Sequence, residues 1–105
     1  MRRFHAYELR SATGRASYPL VLNVQGELVE DLRTRVVVPL APAAGFKGKV
    51  ISRLMPLLDI EGESWVMLTA QLGGIRVQDM GKEVADLSGE RFTIIAAIDL
   101  LLSGT

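Results

Sequence analysis

The sequence predicts a mainly β protein with a single α-helix near its C-terminus. Short stretches rich in branched apolar residues recur over most of the chain, and glycine and proline separate them. Beyond Ser88 the pattern changes to the helical spacing i, i+3, i+4, i+7, set by Ile94, Ala97, Ile98 and Leu101. Several short strands followed by one terminal helix predict a compact β barrel, or a pair of small sheets, with the helix packed on top.

The first half of the chain contains three predicted strands. Phe4 to Leu9 is the first, and a small polar loop from Ser11 to Ser17 follows it. Leu20 to Val24 is the second, because branched apolar residues dominate it. Val36–Val38 is the buried centre of the third, and Pro39 is expected to end it because proline has no N–H to donate.

The middle of the chain predicts a hairpin. Val50 to Ile60 contains Pro56, so we expect at most two short strands or one bent strand there. Glu61–Gly62 is a candidate tight turn between the end of this segment and a further strand over Ser64–Ala70. A hairpin is therefore expected around Glu61–Gly62.

Glycines and a capping residue mark where the last strand and the helix are expected to begin and end. Gly73–Gly74 is expected to break the chain before a strand from Ile75 to Met80. Ser88 is a suitable N-cap for the helix Glu90–Leu102, and Gly104 follows the last periodic residue and is expected to end it.

Composition restricts the function classes. The chain has 105 residues, which fits one domain over residues 1–105. Its 12 basic and 12 acidic residues cancel, so nucleic acid is not the expected main partner, because that affinity comes from neutralising phosphates. The sequence has no cysteine, no signal peptide and no apolar run of about 18 residues. We therefore expect a cytoplasmic protein with neither a membrane segment nor direct sequence-specific nucleic-acid binding.

The side chains that carry chemistry do not form a catalytic pattern. His5 is the only histidine, and it lies in a predicted strand with no acid in a fixed position beside it, which favours a solvated or structural role. Asp59, Glu61 and Glu63 are more typical of a charged hairpin tip than of a metal site. We therefore predict a protein that is not an enzyme and has no catalytic residues, metal or cofactor.

Several apolar residues lie where a buried core does not obviously need them. Trp65 alternates with other strand residues and is more typical of a core than of a ligand platform. Leu28 and Val29 lie in a charged loop, where they either mark a partner surface or cover the end of the barrel. Ile95 and Leu102 add a second apolar stripe to the helix, and a second stripe indicates a dimer contact.

The order and spacing of several short motifs resemble the CcdB toxins of bacterial toxin–antitoxin modules. From about Tyr18 onward the resemblance needs no gap, and about three extra residues lie in the loop from Ser11 to Arg15. The motifs that carry it are Val38–Pro39–Leu40–Ala41, Gly62–Glu63–Ser64–Trp65, Met67–Leu68–Thr69 and Gly81–Lys82–Glu83–Val84–Ala85–Asp86–Leu87–Ser88, together with Val24–Gln25, Lys49–Val50 and Leu54–Met55–Pro56.

This resemblance implies a fold and two partners. The fold is an SH3-like barrel of the CcdB/MazF type, with a C-terminal helix, that forms a homodimer. One partner is the GyrA subunit of DNA gyrase, which CcdB toxins trap on cleaved DNA. The other is the C-terminal segment of a CcdA-like antitoxin, which folds onto the toxin.

The resemblance also assigns contact residues by position. The implied gyrase contacts are Gly26, Leu28, Val29, Asp99, Leu102, Ser103, Gly104 and Thr105. The implied antitoxin contacts lie in the loop from Glu8 to Arg15 and include Glu8, Arg10, Ser11, Gly14 and Arg15. The apolar helix face, with Ala97, Leu101 and Leu102, is the expected dimer interface.

The sequence departs from the family pattern at its tail. Where CcdB toxins have Trp-Gly-Ile, this chain has Ser103, Gly104 and Thr105. The family tryptophan stacks on a gyrase arginine, so its loss predicts weaker poisoning. The changed tail leaves one alternative, a CcdB-fold protein that no longer poisons gyrase and acts as an antitoxin sink or on another target. A second alternative is a MazF-like mRNA endoribonuclease, because the related MazF toxins share this barrel and cut RNA.

Overall fold

A computed structural model describes residues 1–10, 19–27, 32–48 and 51–104. Its strands are β1 (His5–Leu9), β2 (Leu20–Asn23), β3 (Thr34–Pro42), β4 (Leu57–Ile60), β5 (Glu63–Met67), β6 (Gly73–Arg76) and β7 (Met80–Asp86), and its α-helix is α1 (Arg91–Ser103). Single 3₁₀ turns lie at Thr69–Gln71, Val77–Asp79 and Ser88–Glu90. The predicted mainly β fold with one C-terminal helix is confirmed.

The strands form one antiparallel sheet in the order β4-β5-β3-β2-β1-β7, and β6 pairs with the first part of β3. Strand β3 is the centre, because it pairs with β2 on one side and with β6 and then β5 on the other. Within the described ranges, β4 and β7 each pair on one side only and are the two ends of the order. The result is a half-barrel with two sheet edges.

Both faces of the sheet are buried, which explains the continuous apolar runs in β2 and β3. The neighbours Val37 and Val38 point to opposite faces and are 3% and 0% exposed. Val38 belongs to the main core, which lies between the sheet and Ile94 and Ala97 of α1. Val37 belongs to a second cluster, with Val21, on the other face.

Pro39 does not end its strand, so that prediction was wrong. The carbonyl of Pro39 accepts a 3.0 Å hydrogen bond from the N–H of Leu68, on the side of β3 that faces β6 and β5. Pairing with β6 stops at Val37, and pairing with β5 begins at Leu40. Pro39 therefore lies where β3 changes its neighbour from β6 to β5, and the sheet there does not require the N–H that proline lacks.

The hairpin around Glu61–Gly62 is confirmed. Both turn residues have positive φ, 54° and 84°, which is the signature of the two-residue type I′ turn. In the described part of the predicted Val50–Ile60 segment, residues 51–60, only the last four form a strand, because the chain turns at 52–54 and Pro56 precedes β4. Lys49 and Val50 lie outside the described residues, as does the predicted loop over Ser11–Ser17.

The largest difference from the sequence prediction lies between Gly73 and Asp86. Gly73–Gly74 does not break the chain but pairs with Val36 and Val37 as the start of β6. The predicted strand over Ile75–Met80 is interrupted by a 3₁₀ turn, and a seven-residue strand, β7, follows. Sequence reasoning missed β7 because its exposed charged residues hide the apolar alternation.

The helix ends as predicted but begins differently. Gly104 has φ 75° and donates its N–H to the carbonyl of Leu100, which satisfies the αL C-cap. Ser88 does not act as the N-cap; its N–H instead donates to the carboxylate of Asp86 at 2.9 Å, one turn before α1 begins. In the part of the chain described here, no helix is long and apolar enough to span a bilayer.

Candidate partner-binding surfaces

The C-terminal end of α1 is open to solvent. Asp99, Leu102, Ser103 and Gly104 are all exposed, and Leu102 is 74% exposed despite its apolar side chain. The hydroxyl of Ser103 donates to the carbonyl of Asp99 at 2.6 Å, which fixes its side chain against the helix. These four predicted gyrase contacts share one surface, and Thr105 lies outside the described residues.

Gly26, a fifth predicted gyrase contact, lies at the other end of the helix. It lines a cavity of about 570 Å³ together with Arg2, Arg3 and Ser88. Ser88 precedes α1, and 13 helical residues span roughly 20 Å, so Gly26 is far from the helix end. The described residues therefore do not bring the two groups together within one chain, and Leu28 and Val29 lie outside the described ranges.

Two of the predicted antitoxin contacts lie at the end of β1. Glu8 and Arg10 are exposed and line a cavity of about 190 Å³ with Leu20. Gly81 of β7 comes so close that a Cβ atom there would lie 3.2 Å from the carbonyl oxygen of Glu8. The remaining predicted contacts are outside the described residues; these are Ser11, Gly14 and Arg15.

The predicted dimer residues differ in their exposure. Ala97 is fully buried in the core of its own chain, so its side chain has no surface to offer a second copy. Ile95 and Ile98 also pack partly on that core, which explains most of the second apolar stripe within one chain. Leu101 is half-buried and Leu102 exposed. A dimer through this helix remains a prediction that would depend on Leu101 and Leu102.

A polar cluster that the sequence did not predict joins β1 to β7. His5 is 4% exposed, with Nδ1 3.1 Å from Oε1 of Glu83 and Nε2 3.3 Å from Oδ1 of Asp86. The Nδ1 contact is close but does not have the direction of an aligned hydrogen bond. The expectation that His5 has no acid beside it was wrong, because the missed strand β7 pairs His5 with Asp86.

The cluster changes the acidity of its members. The imidazole of His5, in close contact with the carboxylate of Glu83, lowers the pKa of that carboxyl. Hydrogen bonds from the side chain and then the backbone of Ser88 lower the pKa of Asp86. Burial raises the pKa of Tyr7, whose hydroxyl donates to Glu83 at 3.2 Å. Two ionised carboxylates therefore hold one imidazole between them at neutral pH.

This cluster is arranged for holding elements together rather than for acid–base chemistry. Both ring nitrogens of His5 face carboxylates, so neither is directed at a reacting group. Among the residues that the structure describes, no group of three His, Asp or Glu side chains is arranged to bind a metal ion.

Comparison with known proteins agrees with this architecture. The family model described as CcdB protein matches residues 3–104. An endoribonuclease from a mycobacterial species, solved in complex with its cognate antitoxin, has a TM-score of 0.76 and 12% identity, and the match covers 97% of this chain and 94% of that chain. The Mycobacterium tuberculosis toxin MazF-mt6 has a TM-score of 0.68 and 20% identity, covering 96% of each chain. The predicted CcdB/MazF type of fold is confirmed.

Proposed function

The chain belongs to the CcdB family, and on this basis we propose that it is the toxin of a toxin–antitoxin module that binds the GyrA subunit of DNA gyrase. The observation that supports this most is the exposed end of α1. Asp99, Leu102 and Ser103 form an accessible surface at the positions where the family pattern has its gyrase contacts.

The proposal includes a CcdA-like antitoxin and a homodimer. Glu8 and Arg10 are accessible at the start of the implied antitoxin loop. Gly26 lies near the start of α1, whose 13 residues span roughly 20 Å, so a compact gyrase surface built from Gly26 and the helix end would need the helix of a second copy. This separation favours a dimer as the functional unit.

We further propose that the protein is not an enzyme. The competing function is a MazF-like mRNA endoribonuclease, because the solved structures with this fold include an endoribonuclease and a MazF toxin. His5 would be the natural acid–base residue, but carboxylates occupy both of its nitrogens. Purified protein should not cleave RNA, and His5→Ala should leave gyrase binding unchanged. Sequence-specific cleavage that disappears in His5→Ala would favour the ribonuclease.

A third function keeps the fold and the antitoxin but removes the poisoning. The tail residue Ser103 offers no stacking face, so the protein would serve as an antitoxin sink or act on another target. The alternatives separate in one experiment. Expression of the chain should halt growth, co-expression of its antitoxin should restore it, and DNA cleavage complexes should form with gyrase of the same organism. Neutralisation without growth arrest or cleavage complexes would favour the sink.

A further inference from the structure

The two edges of the sheet meet at a cavity of about 320 Å³, named here the seam cavity. One wall is the β4–β5 hairpin, with Glu61, Glu63 and Trp65. The other wall is β7, with Lys82, Glu83 and Val84. The seam cavity therefore lies between the first and last strands of the sheet order. In a closed barrel, these two strands would be hydrogen-bonded to each other.

Both walls present unpaired strand edges. Over the described ranges, β4 pairs with β5 alone and β7 with β1 alone. A strand that pairs on one side only leaves every second backbone N–H and C=O without a strand partner. An extended segment placed along either edge would pair with these groups, which is the way in which many peptides add to sheets.

The hairpin wall of the seam cavity contains an aromatic side chain with an unused donor. Trp65 packs partly against the main core and keeps part of its ring exposed in the seam cavity. Its indole N–H has no acceptor among the residues described. A half-buried tryptophan generally finds a partner for its N–H, and a peptide carbonyl in the seam cavity would supply one.

The charged side chains that line the seam cavity favour a cation. Three residues with carboxylates, Glu61, Glu63 and Glu83, line the seam cavity, against one with an ammonium group, Lys82. Glu61 and Glu63 are exposed and form no ion pair within the described part of the chain. Glu83 accepts a hydrogen bond from the hydroxyl of Tyr7, and the neighbouring imidazole of His5 lowers its pKa, so its carboxylate is ionised at neutral pH.

We propose that the seam cavity binds an extended basic segment of a partner protein, with an arginine over Trp65 and the segment's backbone paired to a sheet edge. Arginine suits this site because its planar guanidinium stacks on an aromatic face and forms bidentate hydrogen bonds with carboxylates. An acidic segment would meet like charges from three glutamates. The proposal uses none of the gyrase, antitoxin or dimer residues assigned above, so it stands or falls independently of them.

The test uses Trp65, the only tryptophan of the chain, as its reporter. The probe is an acetylated and amidated heptapeptide, TVTRTVT, which places arginine and two valines on one face of a strand. Its charge control is TVTETVT, and its backbone control is TVTRTVT with N-methyl groups on alternate residues. Binding is followed by Trp65 emission and by calorimetry on the full chain.

Matched variants localise the binding. Glu61→Gln with Glu63→Gln removes two charges from the seam cavity, and Glu27→Gln with Glu90→Gln removes two exposed charges outside it. Circular dichroism checks that both fold. We expect saturable binding of the arginine peptide that weakens about tenfold in the first variant and stays unchanged in the second. The glutamate and N-methyl peptides should bind at least tenfold more weakly than the arginine peptide.

Three results would overturn the proposal. One is the absence of any saturable change with the arginine peptide. Another is equal binding of the arginine and glutamate peptides, which would indicate a non-specific apolar contact. The third is a wild-type dimer that becomes a monomer in the Glu61→Gln, Glu63→Gln variant, because a second copy of this chain would then fill the seam cavity.

Discussion

The two ends of α1 differ in how firmly the rest of the protein holds them. At its start, the N–H of Leu87 donates to the carbonyl of Phe4 at 2.8 Å, and Asp86 accepts a hydrogen bond from the N–H of Ser88 and lies 3.3 Å from Nε2 of His5. Phe4 keeps a positive φ of 68°, a conformation that a bulky residue adopts only when its surroundings enforce it. At the other end, Leu102, Ser103 and Gly104 are exposed.

This difference separates the structural role from the recognition role along one helix. The fixed start sets the direction of α1 over the sheet, so the exposed end is presented at a defined position without being held itself. Changes near the start or in the buried stripe should therefore act on stability. Changes at the exposed end, the capping Gly104 apart, should act on partners and leave the free energy of unfolding nearly unchanged.

The largest expected effect comes from a charge in the buried stripe. Ala97→Arg forces a cation into a fully buried site without a partner and should cost about 4 kcal/mol or more, enough to unfold much of the protein. Leu102→Asp, at the exposed end, should change stability by less than about 0.5 kcal/mol. Urea unfolding measures both.

Light scattering should show a wild-type dimer and a Leu102→Asp monomer, and a monomeric wild type would contradict the proposed dimer.

A change at the exposed end should act on gyrase instead. Ser103→Trp with Thr105→Ile restores the family's apolar tail, and an interface tryptophan contributes about 2–4 kcal/mol, or roughly 30- to 1000-fold in affinity. Poisoning should rise by that order in a DNA cleavage-complex assay with gyrase from a species that a typical CcdB attacks.

The control for this gain is a tryptophan elsewhere on the same helix. Thr93→Trp is exposed, lies near the start of α1 and should not raise poisoning. Strong poisoning of both that gyrase and the gyrase of the same organism by the unchanged chain would show that the tail is dispensable.

Acid should loosen the fixed start of the helix. The carboxyls of Glu83 and Asp86 have folded-state pKa values below their ordinary values of 4.5 and 3.8, so the folded protein binds these protons less readily than the unfolded chain. Their stabilising contribution is complete above about pH 5 and is lost as the pH falls through the lowered values. Urea midpoints should therefore drop more steeply below pH 4.5 in the wild type than in Glu83→Gln with Asp86→Asn. Parallel slopes would contradict this.

The smallest effect concerns the residue that ends the helix. Gly104→Ala places a Cβ at φ 75°, which should cost about 1 kcal/mol. Gly89→Ala is the matched control, because an added Cβ there meets nothing within 4 Å and φ is not positive. Thermal unfolding should separate the two variants, and equal midpoints would show that the helix end is frayed rather than capped.

Local patterns in the sequence were sufficient for part of the fold. The spacing of Ile94 and Ala97, the glycine at 104 and the Glu61–Gly62 turn each predicted an element that the structure contains. These signals are local, because helical periodicity, a C-cap and a type I′ turn depend on residues close together in the chain. The exposed gyrase residues at the helix end came from the family resemblance and remain predictions.

By itself, the sequence determined the fold class, the terminal helix and the family. Only the tertiary structure decided that Pro39 lies inside a strand, that β7 exists and that His5 meets two acids. The reason is the same in each case: these features depend on pairing between strands far apart in the chain, such as His5 with Asp86. The neighbouring strand decides where a backbone N–H has no acceptor to reach and which carboxylate faces an imidazole. Local sequence patterns do not specify which strand that neighbour is.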